Sequence, residues 1–212
     1  RSGENFEEVY TFLSKDENPN RKKLLFSLAL KDAKDLKASV LEDHLNCEQG
    51  DLPEEIFRKD LLCPRIFLEE LTPYRSMIRE FFEEETKHSF AEQPERIMDY
   101  LKKNITFHPE EEYDTIMATP VGVLTMKQGS PLAQKILFVA ICRSLNVAAR
   151  LNPVTLEPEY YRDGAFHSVE TEAAVLKDET ESAVLTLNAE DGSAWKYYQT
   201  WTIGKWNGTV FD

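Results

Sequence analysis

The chain has 212 residues, 42% of them hydrophobic and 11% aromatic, enough for one generous core or for one domain with part of a second. Its 25 Lys and Arg stand against 38 Asp and Glu, a formal net charge of −13, and such a surface repels a polyphosphate backbone. Nucleic acid and anionic membrane are therefore not expected as partners.

The first hundred or so residues read as helical. Phe6 to Leu13 carries a helical pattern, and so does the longer stretch from Leu24 to Leu45, with Asn18-Pro19 as a break between them. Arg21-Lys22-Lys23 is the nearest approach to a basic patch, and because it leads into Leu24-Leu25-Phe26 it reads as the solvated shoulder of a helix. Pro53 to Leu62 and Pro94 to Leu101 are further helical stretches, with breaks at Gly50 and at Cys63-Pro64. Between them, Tyr74, Met77, Ile78, Phe81 and Phe82 repeat at the spacing of one helix face after Thr72-Pro73.

Thr119-Pro120 and Gly122 open a second region. Its most informative stretch begins at Gly129-Ser130-Pro131, where Ser130 is placed to cap a helix and Pro131 to occupy its first position. Apolar residues from Ile136 to Cys142 fall on every face, so this helix is expected to be buried, and they are far too few to span a membrane. Asn146 suits a left-handed helix end, and Val147 to Leu151 then enters a strand. Glu159-Tyr160-Tyr161, the turn Arg162-Asp163-Gly164 and Phe166 to Glu170 read as a hairpin. Beyond the acidic linker from Lys177 to Ser182, Ala183 to Leu187 and the alternating Trp195, Tyr197, Trp201 and Ile203 read as strands, and Asn207-Gly208 as a tight hairpin turn. The expected division is a helical part over 1–110, a core over 111–175, and over 176–212 a β extension that begins a sandwich. A chain that starts at Arg1 without a methionine and stops inside a hairpin reads as a processed form or a fragment.

Few residues invite chemistry. Cys47, Cys63 and Cys142 are an odd number without a CxxC, which allows at most one disulfide. His44, His88, His108 and His167 include no metal-like spacing, and no GxGxxG, P-loop or GxSxG is present, so neither a metal nor a cofactor is expected. The Glu-rich runs at 83–85 and 110–112 lack an EF-hand pattern and read as solvated.

One block does suggest a family. Ala140-Ile141-Cys142-Arg143-Ser144-Leu145-Asn146-Val147-Ala148-Ala149-Arg150 resembles the "ALCRALGIPAR" helix-to-strand block of transglutaminase-like, papain-related domains. Thr119-Pro120-Val121-Gly122-Val123 is similar to their approach loop, and Tyr160 to Phe166 to their "dG-x-W" hairpin, so the resemblance covers about residues 95 to 172. The helical lead-in, with Val40 to Leu45 and Pro64 to Ile66, resembles that of a bacterial subgroup found in large exported proteins. The resemblance implies an α+β fold in which a buried central helix packs on a small antiparallel sheet.

It also implies a cysteine nucleophile at the N-terminus of that helix, a histidine base on a following strand and an aspartate on the next. Counting back eleven residues from Cys142 lands on Pro131, which carries no nucleophile. Ser130, one residue away, has an ordinary occupation as a cap, and Cys142 lies three turns into a buried helix, where a thiol is inert. His167 falls roughly where the histidine strand should arrive. In the alternative register Phe166 takes the place of the hairpin tryptophan, and the chain then has no catalytic histidine. Ser130 and His167 are thus the only catalytic candidates, and weak ones.

Arg143 and Arg150 are cations on buried elements that need a carboxylate or carbonyl partner, or else line a binding cleft together with Tyr160. Trp201 and its aromatic neighbours either pack or form a sugar-stacking platform. The expectation is a non-catalytic binding or scaffolding module of an exported bacterial protein, extracytoplasmic by resemblance, with a peptide or glycan ligand and other domains of its own chain as partners. The alternatives are a cysteine-protease-like amidase or acyltransferase with an unusual nucleophile, and a carbohydrate-binding module.

Overall fold

A computed structural model describes residues 5–108 and 117–171, which belong to the first of two units into which the chain divides, after Leu176. The strands expected from Ala183 onward, Trp201 with its aromatic neighbours, the linker and the glutamates at 110–112 lie outside the described residues.

The N-terminal part is a set of short helices: α1 (Phe6–Ser14), α2 (Asn20–Ser27), α3 (Asp32–Asp35), α4 (Ala38–Leu45) and α5 (Glu54–Ile56), the last continuing as a π-helical turn (Phe57–Leu62). The single pattern expected from Leu24 to Leu45 is thus three helices. Leu28 and Leu36 adopt extended backbone and end α2 and α3, while the Asp32 carboxylate accepts from the Ala29 amide at 3.4 Å and pairs with Arg65. Phe12, Leu24, Leu41, Phe57, Leu61 and Leu62 fill the core of this part.

The second core forms around one helix. Following α6 (Tyr74–Phe81), α7 (Glu84–Glu92), α8 (Glu95–Asn104) and α9 (Pro120–Met126), the chain enters α10 (Pro131–Ser144). From Ile136 to Ser144 every residue of α10 is buried, as an all-round apolar sequence requires. Ile78, Ile97, Met98, Leu101, Val123 and Leu124 close over it from α6, α8 and α9. Ahead of α10, β1 (Thr106–Phe107) pairs in parallel with β2 (Gln128–Gly129).

Behind α10 lies an antiparallel sheet of β3 (Ala149–Leu151), β4 (Pro158–Arg162) and β5 (Ala165–Ser168) in the order β3-β4-β5. Asn146, at φ 63°, supplies the left-handed residue that turns the chain out of α10. Asp163 and Gly164 both have positive φ, the requirement of a tight primed hairpin turn. The described chain mixes helix with small sheets, in keeping with an α+β class.

Two arginines of α6, Arg75 buried and Arg79 half-buried, fasten the halves together. Arg75 of α6, 0% exposed, donates to the Arg143 carbonyl at 2.8 Å, to the Leu61 carbonyl and to His44 Nδ1 at 3.0 Å. Arg79 adds a bond to the Ser144 carbonyl at 2.6 Å, so cations satisfy the last carbonyls of α10 at the negative end of its dipole. Arg21 departs from its expected place on a solvated shoulder. It is buried, bonded to the Phe12 carbonyl at 2.9 Å, to Asp16 at 2.7 Å and to Glu42 at 2.5 Å, and these partners let a guanidinium leave water.

Candidate active site at the start of the central helix

The N-terminus of α10 is fixed by its own sequence. Ser130 caps it, Oγ accepting from the Ala133 amide at 3.2 Å, and the Ser130 carbonyl takes the Gln134 amide at 3.0 Å. Pro131 has no amide to offer, so none of these three positions leaves a free donor for an anion or an acyl oxygen, contrary to the free amides a helix start usually presents. Gly129 permits this entry, because a Cβ there would press on Val123 Cγ1 at 3.2 Å and Ala133 Cβ at 3.3 Å. Ser130→Ala is expected to cost about 1 kcal/mol of stability in thermal or urea unfolding.

The strands that follow α10 bring a carboxylate and a hydroxyl to this end of the helix. Glu157, just before β4, pairs through Oε1 with Lys135 Nζ at 3.0 Å, and its Oε2 accepts from Thr171 Oγ1, just beyond β5, at 3.0 Å. Lys135 lies one turn into α10 from Pro131, so an ammonium, a carboxylate and a hydroxyl converge there. Nothing in the sequence pattern linked these three residues, because the pairing depends on how the hairpin lies along the helix.

His167 sits higher on the sheet. It pairs with Tyr160 across β4 and β5, is exposed, stacks on the Tyr160 ring at 5.4 Å and donates through Nε2 to the Arg162 carbonyl at 3.2 Å. No hydrogen bond joins it to Ser130 among the described residues. Tyr160 is itself committed: its hydroxyl donates to Glu95 at the start of α8, and burial together with that bond pushes its pKa up to about 12. Arg162 completes this face by donating to the Ala91 and Glu92 carbonyls at 2.7 and 2.6 Å. Tyr160 therefore joins sheet to helix through Glu95.

Arg143, read from sequence as a possible cleft residue, is only 3% exposed. It donates to the carbonyls of Ala149 at 2.9 Å, Cys63 at 2.7 Å, Arg65 at 2.9 Å and Lys59 at 3.4 Å, which leaves its planar fork no reach toward a ligand. Arg150 finds the expected carboxylate partner in Glu159 at 3.0 Å, with its guanidinium 3.6 Å from the centre of the Phe166 ring. Glu159 also accepts from Asn152 at 2.7 Å. Arg150 keeps a solvent-facing edge, and Trp201 lies outside the described residues.

Of the thiols, Cys63 and Cys142 are buried and Cys47 half-buried. Cys142, eleven residues from Pro131 and thus about 16 Å along the helix, is fully buried, and burial drives its pKa far upward. Iodoacetamide is expected to modify it only on unfolding. Cys47 is half-buried and its pKa is likewise raised by burial. Its neighbour His44 has both ring nitrogens occupied, Nε2 by the Thr72 carbonyl at 3.0 Å and Nδ1 by Arg75. Among the described residues no group of three or more His, Cys, Asp or Glu is placed to hold a metal, and no helix is long and apolar enough to cross a membrane.

A buried helix followed by an antiparallel sheet, with polar groups gathered where the helix begins, is the framework expected of a papain-related domain. A family model described as the transglutaminase-like superfamily matches residues 75–195, more than half of the chain. The chain belongs to that superfamily. No curated protein and no solved structure matches it.

Proposed function

We propose that this chain is a non-catalytic member of its superfamily and serves as a binding or scaffolding module. The observation that carries the reading is what stands at the start of α10. Pro131 occupies the position at which the family block calls for the nucleophile, and the polar groups arriving beside it form a closed Lys135–Glu157–Thr171 set. Acyl transfer through a thiol needs the sulfur, a base within about 3 Å and donors for the oxyanion. Here the cap and the proline take up the helix start, and His167 is held on another part of the sheet.

By family resemblance the module works in an exported bacterial protein, outside the cytoplasm, alongside other domains of its chain. Arg150, with its exposed edge over Phe166, is the candidate contact for a peptide or glycan. Incubation with amide, ester and peptide libraries is expected to release no product above buffer, and His167→Ala to leave any ligand affinity within a few fold. Turnover abolished by both Ser130→Ala and His167→Ala would contradict the reading and establish a serine-histidine enzyme.

A further inference from the structure

Of the large hydrophobic side chains exposed among the described residues, half gather on one side of the N-terminal helices: Phe6, Tyr10 and Leu13 of α1, Phe26 of α2, and Leu30. Phe26 is 77% and Leu30 62% exposed. Between them runs a concave groove of about 450 Å³, floored by Leu25, Leu28, Ala29 and Ala33. Phe6, Tyr10 and Leu13 continue it along α1 at i, i+4 and i+7, the first two rings stacked at 5.8 Å, while Val9 and Phe12 on the other face pack inward. The apolar strip on α1 is about 10 Å long, which exceeds what one inserted side chain needs.

From Asn20 to Lys37 there are six cations against two carboxylates, Asp32 and Asp35, in a chain of net charge −13. Of the six, Arg21 is buried on Asp16 and Glu42 and Lys23 pairs with Glu54, so the positive charge beside the groove rests on the remaining lysines. The Asp32 carboxylate is spent on Arg65. Lys22 lines the groove, Lys31 and Lys34 follow Leu30 and Ala33 in the chain, and Arg58 donates to the Phe26 carbonyl at 3.3 Å. Lys22, Lys31 and Lys34 make no ion pair among the described residues. An apolar trough edged with unpaired lysines complements one kind of surface: apolar ridge, acidic flanks.

We infer that this groove docks an amphipathic helix of a partner protein, with large apolar residues at i, i+3, i+4 and i+7 and Asp or Glu beside them. A helix lying in the trough comes within a Debye length, about 8 Å, of the lysines. A broad anionic bilayer would also face the acidic remainder of the chain, and a trough receives inserted side chains where a bilayer receives protrusions. The inference is independent of the chemistry at the start of α10.

The test is fluorescence anisotropy with a labelled 16-residue designed helix, Leu at those spacings and Glu elsewhere, against a counterpart with Lys in place of Glu. The Glu helix should bind saturably at physiological salt, and the Lys helix at least tenfold more weakly. Lys22→Glu and Phe26→Ser, both at exposed positions, should each weaken the Glu helix at least tenfold while leaving the melting temperature unchanged. Absence of saturable binding, equal binding of both helices, or indifference to both substitutions overturns the inference. Sedimentation with phosphatidylserine vesicles that Phe26→Ser abolishes also overturns it, and assigns the groove to lipid.

Discussion

Substituting Arg143 by alanine is expected to cost about 3–5 kcal/mol of unfolding free energy, the range seen when a buried charged network loses one partner. The side chain holds four carbonyls drawn from the π-helical turn, the segment after it and β3, and truncation leaves the buried Ala149 and Cys63 carbonyls without their donor. Unpaired buried acceptors cost about 1–3 kcal/mol each. Arg143→Lys should not rescue the loss, because an ammonium cannot reproduce a planar fork reaching carbonyls in different directions. Urea unfolding should show a lower midpoint at an unchanged slope. A loss below about 1 kcal/mol accompanied by loss of a ligand would return Arg143 to the cleft role considered from sequence.

The second large effect is a pH dependence centred on His44. Burial holds its pKa well below the usual histidine value, and the adjacent Arg75 guanidinium reinforces the shift. A folded-state pKa below the unfolded one means that the unfolded chain binds the extra proton. The stability due to neutral His44 is therefore fully present above about pH 6.5 and is lost as pH falls below it, by up to about 1.4 kcal/mol per pH unit. Between pH 7 and 5 the chain should lose about 1–2 kcal/mol in urea unfolding. His44→Gln, which cannot titrate, should flatten the profile over that window. A wild-type profile flat from pH 7 to 5 would mean that His44 is charged or absent from the cluster. A separate loss is expected at lower pH, where Asp16 and Glu42, both lowered by their bonds to Arg21, become protonated.

Both effects arise at the seam between the cores, the part of the molecule least legible in the sequence. The central helix was legible because its signals are local: a serine cap, a proline at the first turn, and an asparagine that accepts positive φ. The partners of Arg143 lie up to 84 residues away in the chain, and no spacing rule connects a cation to a carbonyl at that distance. The sequence could say that the charge needed a partner without saying whether carboxylate or carbonyl would supply it. Arg21 failed differently, since its neighbours Lys22 and Lys23 set a solvated context that the paired Asp16 and Glu42 override.

Local signals also misled where they were weak. The helix α7 buries only Phe90, so it lacks the periodic apolar face by which α6 announces itself. At the candidate site, sequence counting reached Ser130 and Pro131 but missed Lys135, Glu157 and Thr171. Their convergence follows from the antiparallel return of β5, which sets Thr171 beside Glu157 at the end of the sheet nearest the helix start. His167, the histidine that counting brought nearest, is four positions short of that end, opposite Tyr160.

The proposal that the start of α10 is not catalytic can be put to the test by supplying the nucleophile. Pro131→Cys places a thiol at the first position of α10, where the loss of a proline that makes no amide bond should leave the fold intact, as a thermal melt would verify. The new thiol is expected to be alkylated by iodoacetamide in the native state and yet to release no product from amide or peptide substrates, because His167 is held on another part of the sheet. Turnover by Pro131→Cys that His167→Ala or His108→Ala then removes would contradict the proposal, by showing that the base was in place and that only the sulfur had been missing.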